Sequence, residues 1–252
     1  MLARANVALK DLYGLEAELD AVISKQSRLP TTPLEQFQEL RLSEVAFSYL
    51  DKEGKPLFSV GPINLSIPQG ELLFLVGGNG SGKSTLLKLL TGLYYPVSGS
   101  LWVDDEEIDR REYQSYRELF AIIFTDFHLF EKLYGLSEID RKRVKSWLRL
   151  VELDKKTEYL DRKFSHLDLS TGQKKRLAFV VAMLEDKPVY VFDELAADQD
   201  PGFRKKFYEE ILPDLKKQGK TIIVVTHDDK YFHTADRILK MEYGQLVSYE
   251  GH

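Results

Sequence analysis

The spacing of apolar residues changes along the chain, and each pattern predicts a different kind of element. Apolar residues first recur at spacings of three and four over residues 5–22, which is typical of an amphipathic helix. Two prolines that follow cannot continue this helix, so we place a domain boundary near Leu34. We therefore predict an N-terminal helix and linker at residues 1–33 and a separate domain at residues 34–252. The helix either lies on that domain or is the tail of a preceding domain that the chain does not contain.

Beyond residue 40 the patterns are those of strands. Apolar and polar residues alternate around Val45 and around Leu65, which predicts a small antiparallel sheet. Three later segments are continuously apolar, at residues 72–76, 189–192 and 221–225. Such runs are typical of parallel strands that are covered on both faces. Helical stretches separate these strands, and this alternation predicts an α/β fold with a parallel core sheet.

Three helices between these strands have identifiable ends or faces. Apolar residues at 144–151 have helical spacing, and Ser137 is the expected N-cap of that helix. A helix over residues 203–215 is expected to bend or restart at Pro213, because proline lacks an amide hydrogen. A third helix is expected to begin at Ser170. The residues expected on its buried face are Leu177, Ala178, Val181 and Leu184.

Composition excludes several classes of protein. Among 252 residues, 43% are hydrophobic and 30% are charged, which is a globular composition. The net charge of −5 has the wrong sign for binding nucleic acid or anionic lipid through bulk charge. The chain has no cysteine and its histidines lack ligand spacing, which excludes disulfides, thiolate zinc sites and cysteine nucleophiles. No apolar run approaches the roughly 18–20 residues that cross a bilayer, so we expect a soluble intracellular polypeptide.

A glycine-rich segment directly follows the first continuously apolar run and precedes a helical one. It fits the phosphate-loop pattern G-x-x-x-x-G-K-[ST] and consists of Gly77, Gly78, Asn79, Gly80, Ser81, Gly82, Lys83, Ser84 and Thr85. Such a loop directs several backbone amides at a polyphosphate, next to the positive end of a helix. Lys83 is then expected to act on the β- and γ-phosphates, and the Ser84 hydroxyl to ligate Mg²⁺. The glycine spacing excludes a dinucleotide loop, so the expected ligand is a nucleoside triphosphate.

Charged residues end the other two continuously apolar strands. Asp193 and Glu194 follow the second strand, where one carboxylate can hold Mg²⁺ and the other can activate water. We assign Asp193 to the metal and Glu194 to the catalytic base. His227 follows the third strand, from which its ring can reach the γ-phosphate.

Taken together, these motifs resemble the nucleotide-binding domain of an ATP-binding cassette (ABC) transporter, over roughly residues 40–250. The residues that carry the resemblance are Tyr49, the phosphate loop, the signature-like segment 169–173, Asp193, Glu194, Asp200 and His227. The resemblance implies a P-loop fold that has an antiparallel β subdomain and a helical subdomain at about residues 126–175. It also implies ATP hydrolysis with Mg²⁺.

The same resemblance assigns further contacts with the nucleotide. Tyr49 is expected to stack on adenine. Two domains are expected to close head to tail, so that the signature of one completes the ATP site of the other. The signature residues are Ser170, Thr171, Gly172 and Gln173. Asp200 is expected at the same interface.

One departure from the usual family pattern indicates which branch of the family the chain resembles. At the position where most cassettes have a glutamine, this chain has Thr125 and Asp126. This feature, together with Thr171 and the segment at residues 194–200, resembles the cyclic peptide exporters, which move siderophore precursors and lipopeptides out of bacteria. The resemblance implies a membrane domain as partner, at the cytoplasmic face of the bacterial inner membrane, and no nucleic acid. As a hypothesis, Asp126 takes over the missing glutamine's task near Mg²⁺.

Two other function classes remain open. The first is a soluble ABC-class ATPase that is not coupled to transport, such as one acting on nucleic acid or ribosomes. For this class a coiled-coil insertion or a second cassette is expected, and the sequence has neither. The second is a structural subunit that binds nucleotide and hydrolyses it weakly. Thr125 favours this class, whereas Lys83, Asp193, Glu194 and His227 oppose it.

Overall fold

The computed structural model describes residues 37–133, 135 and 139–249. Its strands are β1 (Glu39–Leu50), β2 (Pro56–Pro68), β3 (Leu72–Val76), β4 (Ser98–Val103), β5 (Glu106–Glu107), β6 (Phe120–Ile123), β7 (Tyr159–Leu160), β8 (Lys163–Phe164), β9 (Val189–Asp193), β10 (Thr221–Val225), β11 (Arg237–Glu242) and β12 (Gln245–Ser248). Its helices are α1 (Lys83–Leu90), α2 (Tyr113–Arg117), α3 (Arg141–Leu150), α4 (Thr171–Glu185), α5 (Pro201–Lys206) and α6 (Leu212–Lys217). The predicted N-terminal helix and linker, residues 1–33, lie outside the described residues.

A six-stranded sheet with the order β12-β11-β3-β10-β9-β6 forms the centre of the described part. All neighbouring pairs are parallel except β11 and β12. The three continuously apolar segments are β3, β9 and β10, and every residue in them is buried. The predicted α/β fold with a parallel core sheet is therefore confirmed.

The two faces of this sheet belong to two separate cores. Leu72 and Phe74 of β3 point to one side and pack with α4, α5 and the surrounding helices. Leu73 and Leu75 point to the other side and pack with α1 and with strands of the second sheet. Because successive strand residues face opposite sides, a strand between two cores must be apolar at every position.

The second sheet is the small antiparallel one that the alternating pattern predicts. Its order is β2-β1-β4-β5, and β1 pairs with β2 from Glu39 opposite Pro68 to Leu50 opposite Pro56. Its other strands β4 and β5, like β11 and β12 of the central sheet, are short segments without a strong apolar pattern and were not predicted. Since they lie at or near sheet edges, burial does not force apolar residues on both of their faces.

Of three helix predictions, one is wrong, one is confirmed and one is incomplete. The helix α3 begins at Arg141, and its N-cap is Asp140, whose carboxylate accepts from the Lys142 amide at 2.8 Å. The predicted cap, Ser137, lies outside the described residues. The expected change near Pro213 is present: α5 ends in a π-helical turn, Phe207–Ile211, and a new helix starts at Leu212. The buried surface of α4 extends well beyond the predicted stripe, because this helix packs between the sheet and α3.

None of the helices in the described ranges combines the length and the apolar character needed to cross a bilayer.

Candidate functional site

The site lies where the central strands β3, β9 and β10 end. In the parallel register, Val225 of β10 is opposite Leu75 of β3 on one side and Asp193 of β9 on the other. The segments that follow these strands are the phosphate loop, Glu194 and His227. Parallel pairing therefore brings together three motifs that are far apart along the chain.

The phosphate loop leads directly into α1. Gly82 is the N-cap of this helix at φ +106°, and no side chain caps the first amides. Gly77, at φ +142°, lies so close to the chain that an added Cβ would be 2.3 Å from the Met241 carbonyl oxygen. An added Cβ on Gly78 or Gly80 would meet open space. The loop is thus held by contacts on one side and leaves room for a ligand on the other.

Lys83 curls back over this loop. Its ammonium donates to the carbonyl oxygens of Gly77, at 2.8 Å, and Gly78, at 3.0 Å. Burial lowers the pKa of Lys83, while the carboxylates of Glu194 and Asp193 oppose that shift. The predicted catalytic lysine is therefore hydrogen-bonded to the phosphate loop and interacts electrostatically with the two acidic residues.

Asp193 is the point where three segments meet. Its Oδ2 accepts from the Ser84 hydroxyl at 3.0 Å and from the Thr125 hydroxyl at 3.2 Å. Asp193 is buried, and burial raises the pKa of its carboxyl group, although both hydroxyl hydrogen bonds lower it. This places both predicted metal ligands side by side, with Thr125 joined to them.

Glu194 and His227 form a pair beside this cluster. The distance from Glu194 Oε1 to His227 Nε2 is 3.2 Å, within hydrogen-bond range. Glu194 has a left-handed backbone with φ +53°, which is uncommon for a residue that carries a side chain. The pair has the arrangement expected of a general base and a group that steadies it.

The residues around the site fit a phosphate and Mg²⁺. The Ser81 hydroxyl is buried and has no hydrogen-bond partner within the described residues, so it offers a free polar group inside the loop. Ser84 and Asp193 offer a hydroxyl and a carboxylate oxygen, the hard oxygen ligands that Mg²⁺ prefers. We therefore take these residues to be the ones that would hold the ion.

The predicted signature residues lie at the start of α4. Ser170 and Gln173 cap each other: Gln173 N donates to Ser170 Oγ at 3.3 Å, and Ser170 N donates to Gln173 Oε1 at 3.1 Å. The predicted N-cap is confirmed. Thr171 and Ser170 are exposed, so this helix start faces solvent in the single chain. Within the described part, no hydrogen bond joins the signature to the phosphate loop.

Asp200 has contacts of its own within the chain. Its Oδ1 accepts from the Phe203 amide at 3.0 Å as the N-cap of α5, and its other oxygen pairs with Arg176. The Phe203 amide, and then the Arg176 guanidinium, hold the pKa of Asp200 below its usual value. The side chain thus links α4 to α5.

Tyr49 lies at the other end of the phosphate loop. Its hydroxyl is 3.2 Å from the Thr85 hydroxyl, and its ring is edge-on to Phe47 at 5.1 Å between centroids. Tyr94 stacks on Phe47 at 5.0 Å. Sequence reasoning missed Tyr94, and the only signal for it was an aromatic residue shortly after α1.

Comparisons with known proteins bear on the family and the fold of this chain. The model of a protein family described as ABC transporter matches residues 60–197. The ATP-binding protein SyrD of Pseudomonas syringae pv. syringae is 46% identical over 213 residues, which make up 83% of this chain and 38% of SyrD. The energy-coupling factor transporter ATP-binding protein EcfA1 of Mycoplasma mobile is 31% identical over 224 residues, 83% of this chain and 78% of EcfA1. The chain thus spans well under half of SyrD and most of EcfA1.

A solved structure provides the corresponding comparison of folds. It is a dimeric ATP-binding cassette in a post-hydrolysis state, bound to ADP and Pi. Its TM-score is 0.69 at 25% sequence identity, and the match covers 84% of this chain and all of the other.

Replacing Asp200 tests its role as a cap. Asp200→Ala is expected to lower the free energy of unfolding by about 1 kcal/mol, because the first turn of α5 loses its acceptor. Asp200→Asn keeps an acceptor and loses the charge, so a smaller effect is expected.

A carboxyl group whose pKa is lowered by folding stabilises the fold above its ordinary pKa of about 4, and this contribution is lost as the pH falls through the lowered value. The difference between Asp200→Asn and the wild type should therefore shrink in acid, as measured by urea unfolding at several pH values. A difference that grows in acid would contradict this assignment.

Proposed function

Because the chain belongs to the ABC transporter family, we propose that it is the ATP-hydrolysing domain that powers export of a peptide-like substrate. The hydrolytic part is supported by four side chains that lie together where the central strands end: Lys83, Asp193, Glu194 and His227. Export of a cyclic peptide or siderophore precursor rests on the similarity to SyrD and on the branch features at Thr125 and Thr171.

The phosphate loop binds the nucleotide in this proposal. Its backbone amides and the uncapped start of α1 face the β- and γ-phosphates, and the Lys83 ammonium adds a point charge. Tyr49 provides an aromatic surface for adenine, with a stacking contribution of roughly 0.5–1.5 kcal/mol beyond area burial. When bound, Mg²⁺ supplies charge neutralisation for the phosphates, and Ser84 and Asp193 are the residues that would hold it.

Glu194 acts as the general base on the attacking water. Its carboxylate takes a proton from the water while the new oxygen–phosphorus bond forms in line with the γ-phosphate, and the bond to the β-phosphate breaks. His227 donates to the same region and steadies the charge that develops there. The 3.2 Å separation between Glu194 Oε1 and His227 Nε2 supports this division of roles.

The first test removes the base without changing its shape. Glu194→Gln is expected to bind ATP with nearly wild-type affinity and to lower kcat by at least about a hundredfold, since general-base contributions are of that order. ATP binding is measured by calorimetry and turnover by phosphate release. Glu210→Gln, at an exposed position of the π-turn, is the matched control and should retain activity. Unchanged turnover in Glu194→Gln would remove Glu194 from the role of base.

The second test separates the two residues that replace the usual glutamine. Both residues are exposed, and Thr125 donates a hydrogen bond to Asp193. Thr125→Val deletes that hydrogen bond and is expected to raise the Mg²⁺ concentration needed for half-maximal turnover. Asp126→Ala is expected to do the same if Asp126 has taken over the glutamine's task. A Mg²⁺ titration of phosphate release decides, and an unchanged Asp126→Ala curve contradicts the hypothesis for that residue.

A second copy of the domain completes the site in this proposal. Ser170 and Thr171 are exposed at the N-terminus of α4, where Thr171, Gly172 and the Ser170 hydroxyl can face a partner's γ-phosphate. The similarity to a dimeric cassette supports pairing of two copies, and the family resemblance implies that they pair head to tail. A single chain would then be catalytically incomplete.

A membrane domain is the other proposed partner. An apolar groove lies between the segment after β6 and the helix α4, with Phe127, Leu129 and Val181 along it. Phe130 at its rim is 59% exposed. An exposed apolar groove is a typical docking surface, and membership of a family of transporters supports a membrane domain as its occupant. The chain would then work at the cytoplasmic face of the bacterial inner membrane.

Similarity to EcfA1 supports a second candidate, an ATP-binding protein of an energy-coupling factor transporter. The two candidates differ in whether a peptide-like substrate is exported.

A transport assay tests the export proposal. Inside-out membrane vesicles that contain the complete transporter should accumulate a cyclic lipopeptide when ATP is supplied, and vesicles with Glu194→Gln should not. ATP hydrolysis without lipopeptide accumulation would contradict the export proposal and leave the ATPase proposal intact.

A further inference from the structure

A lysine that the proposed chemistry does not use is almost completely buried. Lys175 lies in the second turn of α4, and its side chain is 4% exposed. A lysine is almost never buried to this extent unless its charge is paired and hydrogen-bonded. Its surroundings therefore indicate what it does.

Two acceptors meet the Lys175 ammonium. Nζ donates to the backbone carbonyl oxygen of Glu194 at 2.9 Å and forms an ion pair with Asp198 Oδ2 at 2.7 Å. A lysine ammonium is a compact charge with three donors, so one side chain can serve both acceptors. Lys175 thus joins the signature helix to the residue proposed as the base.

The backbone of Glu194 needs such support. A residue with a side chain in the left-handed region costs of order 1 kcal/mol or more, so the surroundings must hold it there. The Glu194 amide donates to the Val225 carbonyl at 3.1 Å, and the Ala197 amide donates to the Glu194 carbonyl at 3.2 Å. Lys175 supplies a second donor to that carbonyl, and this donor is charged.

The start of α4 is held firmly against the segment that follows Glu194. An added Cβ on Gly172 would be 2.6 Å from the Asp198 carbonyl oxygen, so the helix and the segment after Glu194 touch backbone to backbone. Gln199 bridges them as well: its Nε2 donates to the Gly172 carbonyl at 2.9 Å, and its Oε1 accepts from Arg176 Nε at 2.8 Å. Movement of the helix start would therefore be passed to Glu194 through a packed contact.

We propose that Lys175 is a positioning residue for hydrolysis, which holds the Glu194 backbone so that its carboxylate stays beside His227. This inference rests on the proposed function, because it requires Glu194 to be the base. In this inference Lys175 acts only through Glu194, whose carbonyl oxygen it contacts. Loss of its donors is expected to let the left-handed backbone relax and displace the carboxylate.

The test replaces the ammonium by an apolar side chain of similar length. Lys175→Met is expected to lower kcat for ATP about ten- to a hundredfold, since a small misplacement of a reacting group has an effect of that size. The KM for ATP is expected to change by no more than about twofold, because the phosphate loop is untouched. Lys174→Met, at the exposed neighbouring position, is the matched control and should match the wild type. Lys175→Gln keeps one donor and should fall between the two.

A double-mutant cycle with Glu194→Gln distinguishes positioning from general destabilisation. If Lys175 acts through Glu194, then Lys175→Met has no further effect on the residual turnover of Glu194→Gln. If the two losses multiply, the inference is overturned, as it is if Lys175→Met alone turns over like the wild type. Circular dichroism and thermal melting show whether each variant is folded, and Lys175→Gln takes the place of Lys175→Met in the cycle if the latter is not. An inactive wild type, or a fully active Glu194→Gln, would instead refute the proposed function.

Discussion

The parallel pairing of β3, β10 and β9 is the constraint on which the rest of the site depends. It places the carboxyl ends of three strands at one edge, so the segments that follow them must share the same space. Without this register, Ser84 and Asp193, which are 109 positions apart in sequence, would not meet. The apolar residues on both faces of these strands stabilise the register, because a slip by one residue would exchange the two cores.

Burial at this edge has an electrostatic consequence. Burial lowers the pKa of Lys83 and raises that of Asp193, so in both cases the fold disfavours the charged form. In the proposed function, a bound magnesium–phosphate ligand would bring a negative charge to the lysine and a positive charge to the aspartate. The two shifts are thus in the direction expected of groups whose charges are compensated by what they bind.

The start of α4 has two different surfaces. Its solvent side presents Ser170 and Thr171, whereas its inner side is packed against the segment from Glu194 to Asp200 through Gly172, Lys175 and Arg176. In the proposed dimer, the solvent side would meet the partner's nucleotide while the inner side holds the chain's own catalytic residues. Buried polar contacts of this kind must all be formed, because each buried donor that lacks an acceptor lowers the stability of the fold. This makes the helix start a place where binding and catalysis can be linked.

Features that depend on neighbouring residues can be predicted from the amino-acid sequence alone. The phosphate loop, the cap at Ser170, the strands β3, β9 and β10 and the acidic residues that end β9 are all visible in local patterns, because chain geometry over a few residues dictates them. Contacts between side chains that are distant in sequence become visible only in the folded chain. Thr125 on Asp193, Tyr94 on Phe47 and Lys175 on Glu194 each join separate elements. Their contacts follow from strand order and helix packing, which no local period in the sequence encodes.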